Sequence, residues 1–190
     1  AAIYRFPRTP SGASSDYNIT TGGAIGYFID GVALFDARDA FSYINNLGID
    51  GTPNGNNGRG DGIWNRDAYE NESITFDSAN AHQASDTYHY NSISNTYSEK
   101  ITSPANHSPI IGWVSDGYPI YGPYGYSDPT DTNSVIRRMI SGYQKRDITN
   151  RTSYPAWASR MYSNSSLSLD EYGPDVGIQF PIGHYIEDYD

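Results

Sequence analysis

The chain has 190 residues, with 22 acidic against 12 basic side chains, a formal charge of −10 and no cysteine. This balance excludes binding to bare phosphate backbones, and the missing thiols exclude disulfides, thiolate metal sites and cysteine nucleophiles. The length suits one ordinary domain whose core can hold without covalent staples.

Tyrosine is abundant at 18 residues, beside 19 glycines and 11 prolines, a profile that points to an exported, turn-rich domain, secreted or held at the cell surface. No run reaches the roughly eighteen apolar residues of a membrane span. The start, Ala1-Ala2-Ile3-Tyr4-Arg5-Phe6-Pro7, lacks the apolar block of a signal peptide, so a leader has either been removed or never existed. The acidic surface repels anionic membranes and offers oxygen ligands to hard cations.

In chain order, residues 1–25 are polar and punctuated by Pro7, Pro10 and Gly12, which predicts an extended arm or an edge strand. A globular domain over 26–190 follows. Gly26 to Phe35 carries apolar residues around Asp30-Gly31, a dipeptide suited to a hairpin turn. Residues 36–47 lack a clean period and are open to a short helix or a loop. Asp50 to Asp61 has no apolar side chain except Pro53 and must lie in solvent or wrap an ion. Ile63 to Phe76 looks extended, and Thr87 to Ile93 has the composition of a strand, with His89 and Asn91 on one face and Tyr88 and Tyr90 on the other. From Ser108 to Tyr126, short apolar pieces are cut by glycines and prolines, which forbids a helix and requires tight turns. Ser134 to Tyr143 fits helix or strand. Tyr154 to Met161, with Pro155 at a first helical position, predicts a two-turn helix. The fold class is thus mainly β, a β-rich α+β single domain with many tight turns and one or two short helices.

Three of the four histidines, His82, His89 and His107, fall within 26 residues. Imidazole is the commonest metal ligand. His82 and His89 differ by an odd number, so a joint site needs a turn between them, which Asp86 can supply. With His107 approaching from a neighbouring strand and Asp77 or Asp116 completing an N/O shell, the set suits zinc, copper or iron. The plainer reading is a polar network in which each imidazole bonds a carbonyl or a tyrosine hydroxyl. His184 is isolated and reads as structural.

The twelve residues from Asp50 to Asp61 place Asp50, Thr52, Asn54, Asn56 and Asp61 at positions that track a calcium loop, with Gly55 at the sharp turn. A Gly/Asn-rich solvent loop is the alternative. Arg59-Gly60-Asp61 spells an adhesion tripeptide at chance level. Sequons at Asn18, Asn71, Asn106, Asn150 and Asn164 are glycan acceptors if the chain passes a eukaryotic secretory pathway. The acidic pairs Asp36 with Asp39 and Glu187 with Asp188 read as solvated surface. Trp64, Trp113 and Trp157 read mostly as core, with a sugar-stacking face as the alternative. No G-x-S-x-G elbow, P-loop or dinucleotide fingerprint occurs.

Tyr88-His89-Tyr90-Asn91, then His107-Ser108-Pro109-Ile110-Ile111-Gly112-Trp113 and Asp116-Gly117-Tyr118-Pro119-Ile120-Tyr121-Gly122-Pro123-Tyr124-Gly125-Tyr126, resemble the YHYH domain family. Gly31 to Phe35, Phe76 to His82, Gly173-Pro174-Asp175-Val176 and Tyr185 to Tyr189 support the resemblance, which covers about residues 31–190. It implies export and a shared structure, with no established reaction. Two departures stand out. The name motif ends in His where this chain has Asn91, and the family's Phe-Asp-x-Cys-Asn-Gly-His is written Phe76-Asp77-Ser78-Ala79-Asn80-Ala81-His82. A site using the last His of the motif would lack a ligand or take Asn91 as a weaker oxygen substitute. The family pattern also runs beyond the position of Asp190, which implies processing, truncation or completion by another copy.

The functional expectation is an extracellular binding or structural domain with a histidine metal site and a calcium loop. Its rivals are a metal-dependent enzyme and a subunit of an extracellular assembly. Glycan or a second copy of the chain are the partners considered.

Overall fold

A computed structural model describes residues 3–12, 19–20, 22–53, 58–101, 105–162 and 172–190. Among them the chain is mostly β, with ten strands and three short helices. Its contacts gather into two compact units. The first comprises Gly23–Phe35, Thr75–Ser141 and the described part of Ala1–Gly12; the second comprises Asp36–Ile74, Gly142–Asp190 and the described part of Ala13–Gly22.

The first unit is built on a six-stranded sheet. Strands β1 (Ala24–Phe28) and β2 (Ala33–Phe35) form the expected hairpin, closed by Asp30, whose carboxylate accepts the Val32 N–H at 2.9 Å, and by Gly31 at φ +84°. The hairpin of β5 (Ala81–Ala84) and β6 (Thr87–Tyr90) turns at Ser85 and Asp86. Strands β7 (Ile110–Val114) and β8 (Pro119–Tyr121) pair across the Asp116-Gly117 turn, where Gly117 takes φ +90°. The sheet order is β5-β6-β2-β1-β7-β8, antiparallel except for the β2–β6 pair. Phe28, Ala81, Tyr90 and Ile111 form its core, joined by Leu34, Tyr97 and Ile120. Each large apolar side chain so buried contributes about 1.5–3 kcal/mol.

The sequence from Ser134 to Tyr143, open between helix and strand, forms strand β10 (Ile136–Arg138) on β9 (Tyr124–Tyr126). The arm expected over 1–25 forms no strand in its described residues up to Gly23, and its last two residues, Ala24 and Ile25, already belong to β1. Tyr4 stacks on Tyr27 with ring centroids 3.7 Å apart, and Phe6 lies against Trp113. Helix α2 (Asn95–Lys100) was not expected; Ser94 caps it through the Thr96 N–H.

The second unit has a short β3 (Tyr43–Ile44) and β4 (Ile49–Asp50) ladder, helix α1 (Ala68–Glu72) and helix α3 (Ala156–Tyr162). The α3 helix follows Pro155, as expected. The stretch expected to be extended, 63–76, is corrected: only Asn65 and Arg66 make bridges, while α1 begins after Asp67, whose carboxylate accepts the Tyr69 and Glu70 N–H groups. Tyr43, Ile63, Trp64 and Tyr185 form this unit's core.

Of the two acidic pairs read as solvated surface, Asp36, Glu187 and Asp188 are buried instead, while Asp39 is half-buried. Asp188 forms a fully buried two-bond pair with Arg151. Glu187, also fully buried, accepts from the Asn65 backbone N–H, the Asn65 side-chain amide and the Tyr162 hydroxyl. Asp36 is held by Arg38 and Thr20. Burial pushes the Asp36 carboxyl up, yet the Arg38 and Thr20 hydrogen bonds together outweigh it and hold it below the usual carboxylate value. Asp50 behaves alike: burial opposes its charge, and hydrogen bonds from His184 and Tyr185 lower it on balance. A carboxyl depressed in the fold stabilises fully above its unfolded pKa of about 3.9 and loses that contribution as pH falls through the lower folded value. Thermal stability is therefore expected to fall on acidification below about pH 4, and Asp50→Asn is expected to flatten that slope in melting curves taken from pH 6 to 2.5. An unchanged slope would show that Asp50 is not held in its charged form by these partners.

Candidate metal centre

The β5–β6 hairpin sets His82 directly opposite His89. Their Nε2 atoms lie 3.1 Å apart. The turn that a joint site needs lies at Ser85-Asp86. His89 is fully buried, its ring stacked on Phe35 at 3.8 Å and met edge-on by His82 at 4.6 Å. Phe35 reaches it because β2 pairs in parallel with β6, Ala33 opposite His89, so that Phe35 lies two residues further along the same face.

The second ring nitrogens are also held. His89 Nδ1 lies 3.1 Å from the Thr87 carbonyl oxygen, which can only accept. That nitrogen therefore carries the proton, and Nε2 presents its lone pair to His82. His82 Nδ1 lies 2.7 Å from the Thr75 hydroxyl, which can donate or accept. If Thr75 donates, His82 Nε2 carries a proton and gives it to His89, a neutral hydrogen-bonded pair. If Thr75 accepts, the two Nε2 lone pairs face one point, and either a second proton on His82, shared with His89, or a metal ion between the rings joins them. Two nitrogens bound to one zinc at about 2.05 Å and a tetrahedral angle stand about 3.3 Å apart, close to the observed separation. The pair can thus serve as ligands to one metal ion. Asn91, on the same face as His89, brings its amide nitrogen to 3.4 Å from His82 Nε2, while its oxygen is buried with no hydrogen-bond partner among the described residues.

The other expected ligands lie elsewhere. His107 does not join the pair: its Nδ1 bonds the Ser108 carbonyl, and its ring packs on Tyr121 and Tyr126. Tyr121 belongs to β8, four strand steps from β6, or roughly 19 Å across a sheet spaced at about 4.8 Å per step. Asp116 sits exposed in the β7–β8 turn. Asp77 caps a turn instead, its carboxylate accepting the Ala79 and Ala81 N–H groups and the Tyr88 hydroxyl. The Tyr88 bond holds the Asp77 carboxyl low and pushes the Tyr88 phenol up to about 12. Phe35 and Thr75 are the site residues that sequence reasoning missed.

Of the calcium loop, Asn54 and Asn56 lie outside the described residues and Thr52 is exposed. Asp50 directs one oxygen to the Tyr185 hydroxyl at 2.8 Å and the other to His184 Nε2 at 2.7 Å, and Asp61 accepts the Asn45 N–H. A calcium ion at Asp50 would compete with both partners. His184 is structural in this sense. Among the sequons, Asn18 and Asn164 lie outside the described residues, while Asn106 and Asn150 are exposed. Asn71 donates its amide nitrogen, the atom a glycan would take, to the carbonyls of Asp67 and His184. Trp64 is core, and Trp157 donates its indole N–H to the Tyr189 carbonyl.

No helix among the described residues is long and apolar enough to cross a membrane. No curated protein and no solved structure matches the chain. The sequence profile of the family described as YHYH protein matches residues 3–189. That match takes in the arm and both compact units, and with nearly the whole length covered the chain belongs to the YHYH family.

Proposed function

We propose that this chain is an exported binding or structural domain whose His82–His89 pair holds one transition metal ion of the zinc, copper or iron class. The observation that carries the reading is the 3.1 Å approach of the two Nε2 atoms, with the His89 proton fixed on the far nitrogen by the Thr87 carbonyl. A carbonyl behind a metal-binding imidazole sets its tautomer and orientation, so the hairpin supplies a ligand and its support together. Export is supported by the composition, rich in tyrosine, glycine and proline.

The test is elemental mass spectrometry of protein purified without chelator, followed by Zn(II) titration of the demetallated wild type and of His89→Ala. One equivalent of metal in the wild type, and at least about a hundredfold weaker Zn(II) binding in the variant, is the expected result. A wild type that carries no transition metal and takes up no Zn(II) overturns the reading and leaves the neutral imidazole pair as a polar core contact.

A further inference from the structure

We propose that Asn91 is the third protein ligand of this centre, through its side-chain oxygen, and that it makes the centre a two-nitrogen, one-oxygen site. The inference rests on the metal reading of His82 and His89.

The strand geometry comes first. Asn91 follows Tyr90 at the end of β6, so the two-residue alternation returns its side chain to the face that carries His89. There it reaches across to His82, the cross-strand partner of His89. The polar bookkeeping comes second. A buried amide oxygen without a donor is an uncommon feature that calls for a partner, whether water, ion or ligand. Here the unpartnered oxygen belongs to the same amide whose nitrogen faces an imidazole nitrogen at 3.4 Å, longer than a good hydrogen bond.

Oxygen and nitrogen of an amide are nearly equal in size and exchange places by a half-turn of the side chain. That half-turn aims the oxygen at the His82 side, where an ion bridging the two Nε2 atoms would lie, and sets the NH2 where the oxygen was, so the approach of the amide to within 3.4 Å of His82 Nε2 is what carries the assignment. An amide oxygen is a neutral, harder donor than imidazole, so the set N, N, O favours a borderline divalent ion and binds it less tightly than three imidazoles would. His82 and Asn91 are only partly buried, while His89 is sealed, so any remaining coordination position opens on the His82 side.

The experiment titrates demetallated full-length chain with Zn(II) and with Co(II), whose visible absorption reports the ligand set. It compares wild type with Asn91→Asp, Asn91→Leu and His89→Ala, each checked for folding by near-UV circular dichroism. Asn91→Asp keeps the shape and supplies a charged oxygen: Zn(II) binding at least about tenfold tighter, with altered Co(II) bands, is expected. Asn91→Leu is expected to bind at least about tenfold more weakly. In the wild type, the Asn91 side-chain NH2 signals in a ¹⁵N correlation spectrum should shift on the first equivalent of Zn(II), a readout that needs no substitution. If His89→Ala abolishes binding while both Asn91 variants bind like wild type and the Asn91 signals stay fixed, the third ligand is overturned and the histidine centre stands. If His89→Ala also binds like wild type, the centre itself falls and the ligand assignment with it.

Discussion

Replacing Asp188 by asparagine is expected to lower the unfolding free energy by about 3–5 kcal/mol, a large share of the about 5–15 kcal/mol that holds an ordinary domain. The reason is desolvation. Arg151 and Asp188 are both fully buried, joined by bonds of 2.7 and 2.8 Å. The remaining guanidinium N–H groups go to the carbonyls of Pro174, Phe180 and Pro181, and the cation lies 4.9 Å over the Tyr185 ring. Asp188 in turn accepts the Gly183 and Tyr185 N–H groups. Removing one charge leaves the other buried and uncompensated, whereas replacing both with apolar residues of similar volume removes the penalty as well. Urea denaturation should therefore show Asp188→Asn as far less stable than wild type and the double variant Arg151→Met/Asp188→Leu as substantially recovered. A single variant within about 1 kcal/mol of wild type would mean that the pair is not a desolvated ion pair.

This pair also shows where sequence reading ran out. Glu187-Asp188-Tyr189-Asp190 looks like a solvated acidic tail because nothing local distinguishes a carboxylate at the surface from one that meets an arginine 37 residues away. Short-range signals did better. Asp30-Gly31 announced its hairpin, and Pro155 announced α3. The start of α1 was also written locally, since Asp67 followed by Glu70 is a capping pattern, but the aromatic and β-branched residues around it suggested a strand.

The metal centre divides the same way. Parity showed that His82 and His89 could share a site only across a turn, because two-residue periodicity forbids one strand from presenting both on one face; that they meet is seen in the hairpin itself. The placement of Asn91 beside His89 followed from the same rule. His107 was drawn in by nearness along the chain, yet the sheet inserts β2 and β1 between β6 and β7. Phe35 was out of reach for that reason too: its contact with His89 depends on a parallel pairing between residues more than fifty apart in sequence. Asp77 carried a readable sign that was passed over, since an aspartate two residues before a bonded N–H is the mark of a turn.

The glycines of the family-specific segment specify backbone approach, and Gly112→Val is the sharpest test of it, with an expected cost of about 3 kcal/mol. Gly112 lies in β7 opposite Phe28 of β1. A Cβ there would stand 2.7 Å from the Tyr27 carbonyl oxygen and 3.0 Å from the Phe28 Cα, and a Cβ on Gly26 would stand 2.6 Å from the Trp113 carbonyl oxygen. These are backbone atoms of two inner strands, so neither neighbour can swing aside as the tip of a flexible side chain would. Relief requires the β1–β7 ladder to open, which separates Phe28 from Ile111 in the core. Gly142→Val is the control: apart from its chain neighbours, no atom of the described residues lies within 4 Å of its Cβ, and its change in stability should stay within about 0.5 kcal/mol. Urea midpoints for the two variants decide the matter. Equal midpoints would show that the ladder tolerates a side chain at Gly112, and that the glycine there answers to something other than the close approach of β1 and β7.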